Sequence, residues 1–211
     1  ATTLSGTYST QERDYTLGGY YSNEKDYTGR SIFASYGEDF NLQNSHVGLS
    51  FSHSSDLWSP SIARVLSRDD RKNSELTLSL TQLLSPKHLI GFGYSVSQAN
   101  GFLGSPYLYL YSNNITTFER LPESKYTAGF NLKGIHQLSD NLALHWQYNY
   151  ADNDWGNVAH TVDINSYYEV SKTNLLALHY RYYTQSAAFF ETAPERYTPS
   201  SAYIMVDYRY G

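Results

Sequence analysis

The residues best equipped for chemistry in this chain are Asp152, Asp154 and His160, together with many scattered serines. A carboxylate beside an imidazole is the material of a general base, and a serine within reach would complete a hydrolase-like set. Residues of these types are common enough that some always lie near one another. No GxSxG, HExxH, phosphate-binding glycine loop or dinucleotide fingerprint accompanies them. The seven histidines show no metal-ligand spacing, because His136 and His145 fall on different strands with opposite facing. His160 has the outward parity of its strand, which suits an interface role better than a catalytic one. The expectation is a protein that is not an enzyme, with no catalytic, metal or cofactor site.

A second set of polar residues is gathered by strand pairing. If the turn "SKT" (171–173) sets Val170 opposite Asn174, then Asp163 faces Arg181 and Asn165 faces His179. The connection "DNDWG" then allows His145 to stand opposite Asp163. A row of His145, Asp163 and Arg181 across three strands reads as a charged constriction or ligand-orienting ladder of the kind that sets selectivity in pores. The plainer reading, and the favoured one, is scaffolding that satisfies charges in a narrow wet interior. Lys133, Glu75, Asp207 and Arg209 share the same parity, and their mixed signs argue against a strongly anion- or cation-selective ring.

These side chains need strands to hold them, and the periodicity supplies strands. In "LALHWQYNYA" Leu142, Leu144, Trp146, Tyr148 and Tyr150 alternate with Ala143, His145, Gln147, Asn149 and Ala151. Leu76, Leu78 and Leu80 do the same, as do Ile90, Phe92, Tyr94 and Val96. One parity is apolar and aromatic, the other small, polar or charged. Eleven strands are expected, near 2–12, 15–23, 27–37, 46–58, 73–84, 88–99, 124–138, 142–153, 156–170, 174–186 and 201–210. Most reach the roughly 9–11 residues that a tilted strand needs to cross a bilayer. Pairing through "SPK" (85–87), with Leu84 opposite His88, matches Leu80 with Phe92, Leu78 with Tyr94 and Leu76 with Val96, so the faces agree along the hairpin.

Connections alternate in length. Tight turns at 41–45, 85–87, 139–141 and 171–173 alternate with larger loops at 59–72, 100–123 and 187–200, "DNDWG" being a short exception. Short turns at one end, long loops at the other and an aromatic-edged apolar face describe an all-β, antiparallel, up-and-down transmembrane barrel in the bacterial outer membrane. A soluble sandwich also alternates, with its apolar face buried, but its strands are nearer about 5–6 residues. Loop 100–123 carries Phe102, Tyr107, Tyr109 and Arg120. Its aromatics either fold inward as a plug or contact a partner, or else extend the flanking strands with Gly104 and Pro106 shaping a turn.

Bulk composition agrees with this reading. The 211 residues have a hydrophobic share of 40% and a net charge of -5, and mean hydropathy is -0.52. No apolar run is long enough for a membrane helix, so any crossing is by strands. Twenty-two tyrosines suit the boundary between lipid and water. Scattered charge gives no footprint for nucleic acid. The absence of cysteine removes disulfides, zinc-thiolate sites and cysteine nucleophiles together. No charged-then-apolar leader precedes Ala1, so any secretory leader is expected to have been removed or to lie outside this sequence.

The stretches "GFLGSPY" (101–107), "RLPESKYTAGF" (120–130), "YNYADNDWGNVAHTVDINSYYEV" (148–170) and "LHYRYYTQSAAFF" (178–190) resemble a bacterial family classed as a domain of unknown function. The resemblance runs over essentially the whole chain and implies an outer-membrane barrel, not an activity. It implies members longer than 211 residues, of which this chain is the middle and later part. An odd count of eleven then points to a complete barrel of 12 to 16 strands. Members of that family often stand beside a flavin-attaching transferase and a thioredoxin-like protein, which implies a periplasmic redox system. The chain is read as a single barrel domain over 1–211 that contacts the lipid bilayer, with a protein partner or copies of itself as further contacts. Its expected function is a passive pore for small polar solutes or ions, the alternative being a non-conducting scaffold or docking barrel.

Overall fold

The computed structural model describes residues 1–59, 69–105, 107–112, 115–191 and 201–205, with backbone alone at 69, 109–112 and 115–118. Among the described residues twelve strands follow in order: β1 (Thr2–Ser9), β2 (Arg13–Asn23), β3 (Tyr27–Phe40), β4 (Ser45–Trp58), β5 (Asp69–Ser85), β6 (His88–Gly101), β7 (Tyr109–Ser112), β8 (Ile115–Phe118), β9 (Ser124–Ser139), β10 (Leu142–Asn153), β11 (Val158–Ser171) and β12 (Asn174–Gln185). Ten of them form one antiparallel up-and-down sheet in the order β1-β2-β3-β4-β5-β6-β9-β10-β11-β12. β7 and β8 pair only with each other, inside the connection from β6 to β9.

Ten of the eleven expected strands are therefore present in the sheet, and the eleventh differs. Residues 201–205 make a single antiparallel bridge, Ile204 with Arg120, instead of a wall strand. The remainder of the 201–210 expectation lies outside the described residues. The β7–β8 hairpin was not anticipated: loop 100–123 neither simply extends β6 and β9 nor lacks structure of its own. Two strand starts also shift, with β2 beginning at Arg13 and β5 at Asp69.

Turn chemistry explains the tight ends. Pro86 with Lys87, Asp140 with Asn141 and Lys172 with Thr173 make two-residue reversals. At 41–44 the chain reverses through three successive left-handed residues, Asn41, Leu42 and Gln43, with φ of 54°, 55° and 65°. Leu80 stands opposite Phe92, Leu78 opposite Tyr94 and Leu76 opposite Val96 as expected, but Ser85 and not Leu84 faces His88, and a bulge at Leu84 restores the register.

The sheet is staggered. One row of directly paired residues crosses all ten strands: Tyr8, Tyr15, Tyr36, Leu49, Leu78, Tyr94, Phe130, Tyr150, His160 and Thr184. Measured from that row, the tight turns recede steadily. Ser9 is one residue past Tyr8, Phe40 four past Tyr36, Ser85 seven past Leu78, Ser139 nine past Phe130 and Ser171 eleven past His160. Ten residues of drift at ~3.3 Å each, over eight strand spacings of ~4.8 Å, correspond to a strand lean of about 40° if the turns share one level. Strands in outer-membrane barrels lean by about 35–45°.

No second layer of described residues covers the apolar face. Leu76, Leu78, Leu80 and Phe92 keep 40–44% of their surface exposed, where a core side chain would keep less than a tenth. The buried hydrophobics among the described residues are instead Leu121, Trp155, Ala188, Phe190, Ile204 and Met205, all in connections at the loop end of the sheet. A soluble sandwich would place its core on the sheet.

Candidate functional site

The other face of the sheet is polar and built in rows. Thr7, Thr16, Ser35, Ser50, Thr77, Ser95, Gly129, Ala151, Ala159 and Gln185 stand directly opposite one another across all ten strands. Two positions nearer the turns runs Ser9, Asp14, Gly37, Gly48, Ser79, Gly93, Asn131, Asn149, Thr161 and Tyr183. Small and hydroxylated side chains on neighbouring strands leave open space above the backbone instead of filling it.

The next row toward the turns carries charge: Asp39, His46, Thr81, Gly91, Lys133, Gln147, Asp163 and Arg181. Asp163 stands opposite Arg181 and Asn165 opposite His179 as expected, but Ser171 and not Val170 faces Asn174, and a bulge at Val170 restores the register. Arg181 Nε lies 3.7 Å and His179 Nε2 3.3 Å from the same oxygen, Asp163 Oδ1. The expectation for His145 is corrected. Gln147 faces Asp163, while His145 faces Asn165 two pairs further on and packs its ring 5.0 Å from Tyr167. The cause is the β10–β11 turn. Asn153 Oδ1 accepts hydrogen bonds from the amides of Trp155 (3.0 Å) and Asn157 (3.3 Å), and Gly156 takes a φ of 84°, so pairing closes at Asp152 with Val158.

Lys133 and Glu75 share this face. Glu75 stands between Ser52 and Ser97 and accepts a bond from Thr77 Oγ1 at 3.4 Å. Lys133 lies along Gly91: a Cβ there would come within 2.6 Å of Lys133 Cε and 3.0 Å of its Cγ. Asp207 and Arg209 lie outside the described residues.

Three polar groupings were not anticipated. Asp39 Oδ1 meets His46 Nδ1 at 2.7 Å. Near the loop end, Asp56 is buried, accepts the Tyr27 hydroxyl at 2.7 Å and pairs with Arg71 Nη2 at 2.9 Å. Lys125 Nζ sits 4.5 Å over the Trp155 ring. Arg71 was hidden because 59–72 reads as loop, yet its alternation with Asn73 and Glu75 places it on the polar parity.

The catalytic reading gains nothing from the geometry. His160 Nδ1 bonds the Tyr148 hydroxyl at 2.8 Å on the apolar face, and Asp154 Oδ1 accepts the Tyr126 amide at 3.0 Å. His136 also lies on the apolar face, its Nδ1 3.1 Å from that of His88, and so stands on the opposite side from His145. Among the described residues no three His, Asp or Glu side chains converge on one metal-sized point.

The loop candidates lie apart from the rows. Gly101 leaves β6 with a φ of 99°, and the Phe102 amide then donates to Asp70 O at 2.8 Å. The Tyr107 hydroxyl donates to the Asp26 carboxylate in the β2–β3 turn, and its ring lies 6.4 Å from Trp58. That hydrogen bond, then partial desolvation, then the negative charge of Asp26, raise the Tyr107 pKa above the ordinary phenol value. Arg120 exchanges two backbone hydrogen bonds of 2.8 Å with Ile204. The Tyr109 side chain lies outside the described residues.

Residues 60–211 match the family described as Protein of unknown function (DUF3570). The chain belongs to that family. The match takes in β5 to β12 and all four stretches that carried the resemblance, whereas the resemblance was expected over essentially the whole chain. β1 to β4 precede the DUF3570 span and continue the same sheet. Neither a curated protein nor a solved structure matches the chain.

Proposed function

We propose that this DUF3570 protein forms the wall of an outer-membrane β-barrel and passes small polar solutes or ions through its interior. The observation that carries the reading is the two-sided sheet. An exposed apolar and aromatic face backs onto polar rows that are continuous over ten strands. In water such an exposed apolar face would be a liability, and in lipid it is the face that a barrel turns outward. The lean of about 40° supports the same reading, because closing a sheet into a barrel requires tilt and stagger. Within a bilayer the outer edges of β1 and β12 need hydrogen-bond partners, so the reading requires those edges to be paired. His145, Asp163, His179, Arg181, Lys133 and Glu75 then line the lumen.

A second reading is favoured by one specific feature. Loop 101–123 is tied to the β2–β3 turn through Tyr107 and Asp26, and to the segment after β12 through Arg120 and Ile204. Together with the apolar cluster around Trp155, these contacts draw connections together at the loop end, as a scaffold or docking barrel for a periplasmic or extracellular partner would need. A component of a flavin- and thioredoxin-associated redox system belongs to this reading. Reconstitution into planar bilayers separates the two. Stable open steps with a measurable reversal potential support the pore. A protein that inserts, shifts in gel mobility on heating and conducts nothing supports the scaffold.

A further inference from the structure

We propose that the polar face carries, midway along the wall, a binding subsite for small polyhydroxylated organic anions centred on Lys133. The inference rests on the pore reading and names the class of solute that the pore would favour. A cavity of about 420 Å³ opens on this face, and Thr77, Ser79, Ser95, Asn131, Lys133 and Asn149 contribute to its lining. The glycines at 93 and 129 form part of its floor, and no carboxylate side chain lines it.

Lys133 is the charge available there. Asp163 is engaged by His179 and Arg181, Asp39 by His46, and Asp56 by Arg71, whereas Lys133 makes no ion pair among the described residues. Glu75 shares its row with Thr127, six residues along β9 from Lys133 and two strands away. That is ~20 Å along the strand, about two and a half times the ~8 Å screening length at physiological salt. Gly91 sets the direction of the lysine, since any larger side chain would push its stem off the wall.

The remaining polar groups add donors. Asn149 Oδ1 already accepts from Asn131 Nδ2 at 2.8 Å and from Gln147 Nε2 at 2.9 Å, which leaves the Asn149 NH2 to point elsewhere. An ammonium, an amide NH2 and several hydroxyls suit a carboxylate attached to a chain of hydroxyls. A bare carboxylate uses the ammonium alone, whereas a sugar acid uses the ammonium and its neighbours.

The test is block of single-channel current in the purified full chain by sodium gluconate, with sodium acetate as the comparison. Gluconate is expected to interrupt the current in a concentration-dependent way and acetate much less. Lys133→Gln is expected to weaken gluconate block about tenfold, measured against that variant's own open current, while Lys133→Arg keeps most of it. Gly91→Ala, which preserves every charge, is expected to weaken the block as well. Lys87→Gln, at a tight turn where Lys87 pairs with Asp140 at 3.3 Å, should leave it unchanged. Open steps with equal block in wild type and Lys133→Gln, or equal block by acetate and gluconate, would overturn the subsite and leave the pore reading standing. A wild-type protein that inserts without open steps would overturn the pore reading and the subsite together.

Discussion

Adjacent residues on β5 offer a direct energetic comparison. Leu78 lies on the apolar face between Leu49 and Tyr94, and Thr77 lies on the polar face between Ser50 and Ser95. Leu78 is nine residues from Asp69 and seven from Ser85. With a lean of about 40°, those distances place it ~23 Å and ~18 Å from the two strand ends, near the middle of an apolar band about 25 Å tall. Arginine at that depth on a lipid-facing position costs about 2–4 kcal/mol. Arginine at Thr77 enters a polar row with open space above it and is expected to change stability by no more than about 0.5 kcal/mol. Leu78→Arg and Thr77→Arg would be folded into lipid vesicles and titrated with urea, with folded and unfolded forms separated by gel mobility. The order of cost, Leu78 well above Thr77, is what the two-sided wall demands. Equal costs would mean that the apolar face meets water, and the membrane assignment would fail.

Three further outcomes follow from local geometry. Gly134 lies under Trp146 on the apolar face, and an added Cβ would come within 2.3 Å of Trp146 Nε1 and 2.7 Å of His136 Nε2. Gly134→Ala is therefore expected to break the 3.0 Å Trp146–His136 hydrogen bond, cost about 1–2 kcal/mol and shift the tryptophan emission. Leu42 is 94% exposed in a left-handed conformation, so Leu42→Gly sheds backbone strain without losing burial and is expected to stabilise by about 0.5–1 kcal/mol in the same urea titration. The Tyr107–Asp26 contact needs a neutral phenol. Because the folded-state pKa is raised, its contribution is complete below the ordinary tyrosine value of about 10 and is lost as pH climbs through the raised value. Loop 101–123 should become protease-sensitive only at strongly alkaline pH in the wild type, and already at neutral pH in Tyr107→Phe.

Much of the wall was legible because alternation runs along the length of each wall strand. Strict alternation assigns side chains to faces, and counting 85–87 and 171–173 as three-residue turns reproduces the pairing of the strand bodies. At the turns themselves Ser85 faces His88 and Ser171 faces Asn174, and bulges at Leu84 and Val170 shift the strand bodies by one residue into the expected register, Asp163 opposite Arg181 included. The pairing of His145 did not follow, because the β10–β11 turn is shaped by the Asn153 side chain and by a left-handed Gly156, a detail that spacing does not reveal. The β7–β8 hairpin eluded the pattern because four-residue strands are too short for alternation to stand out. The run "YIMVDYRY" from 203 reads as a strand, yet Ile204 is drawn into the buried cluster with Leu121 and Trp155, and tertiary packing overrides the local pattern there. Asp39 with His46 and Asp56 with Arg71 were visible as residue types, but their pairing needs the β3–β4 and β4–β5 registers.

The central claim is that the apolar face meets lipid and the polar face meets water, and the cysteine-free sequence permits a direct test. Single cysteines at positions 89 to 96 of β6, each spin-labelled in vesicles, would be probed with oxygen dissolved in lipid and a nickel complex dissolved in water. The account predicts a two-residue alternation, with Ile90, Phe92, Tyr94 and Val96 relaxed by oxygen, and Gly91, Gly93 and Ser95 by nickel. Labels that respond alike at odd and even positions, or with the two sets exchanged, would contradict it.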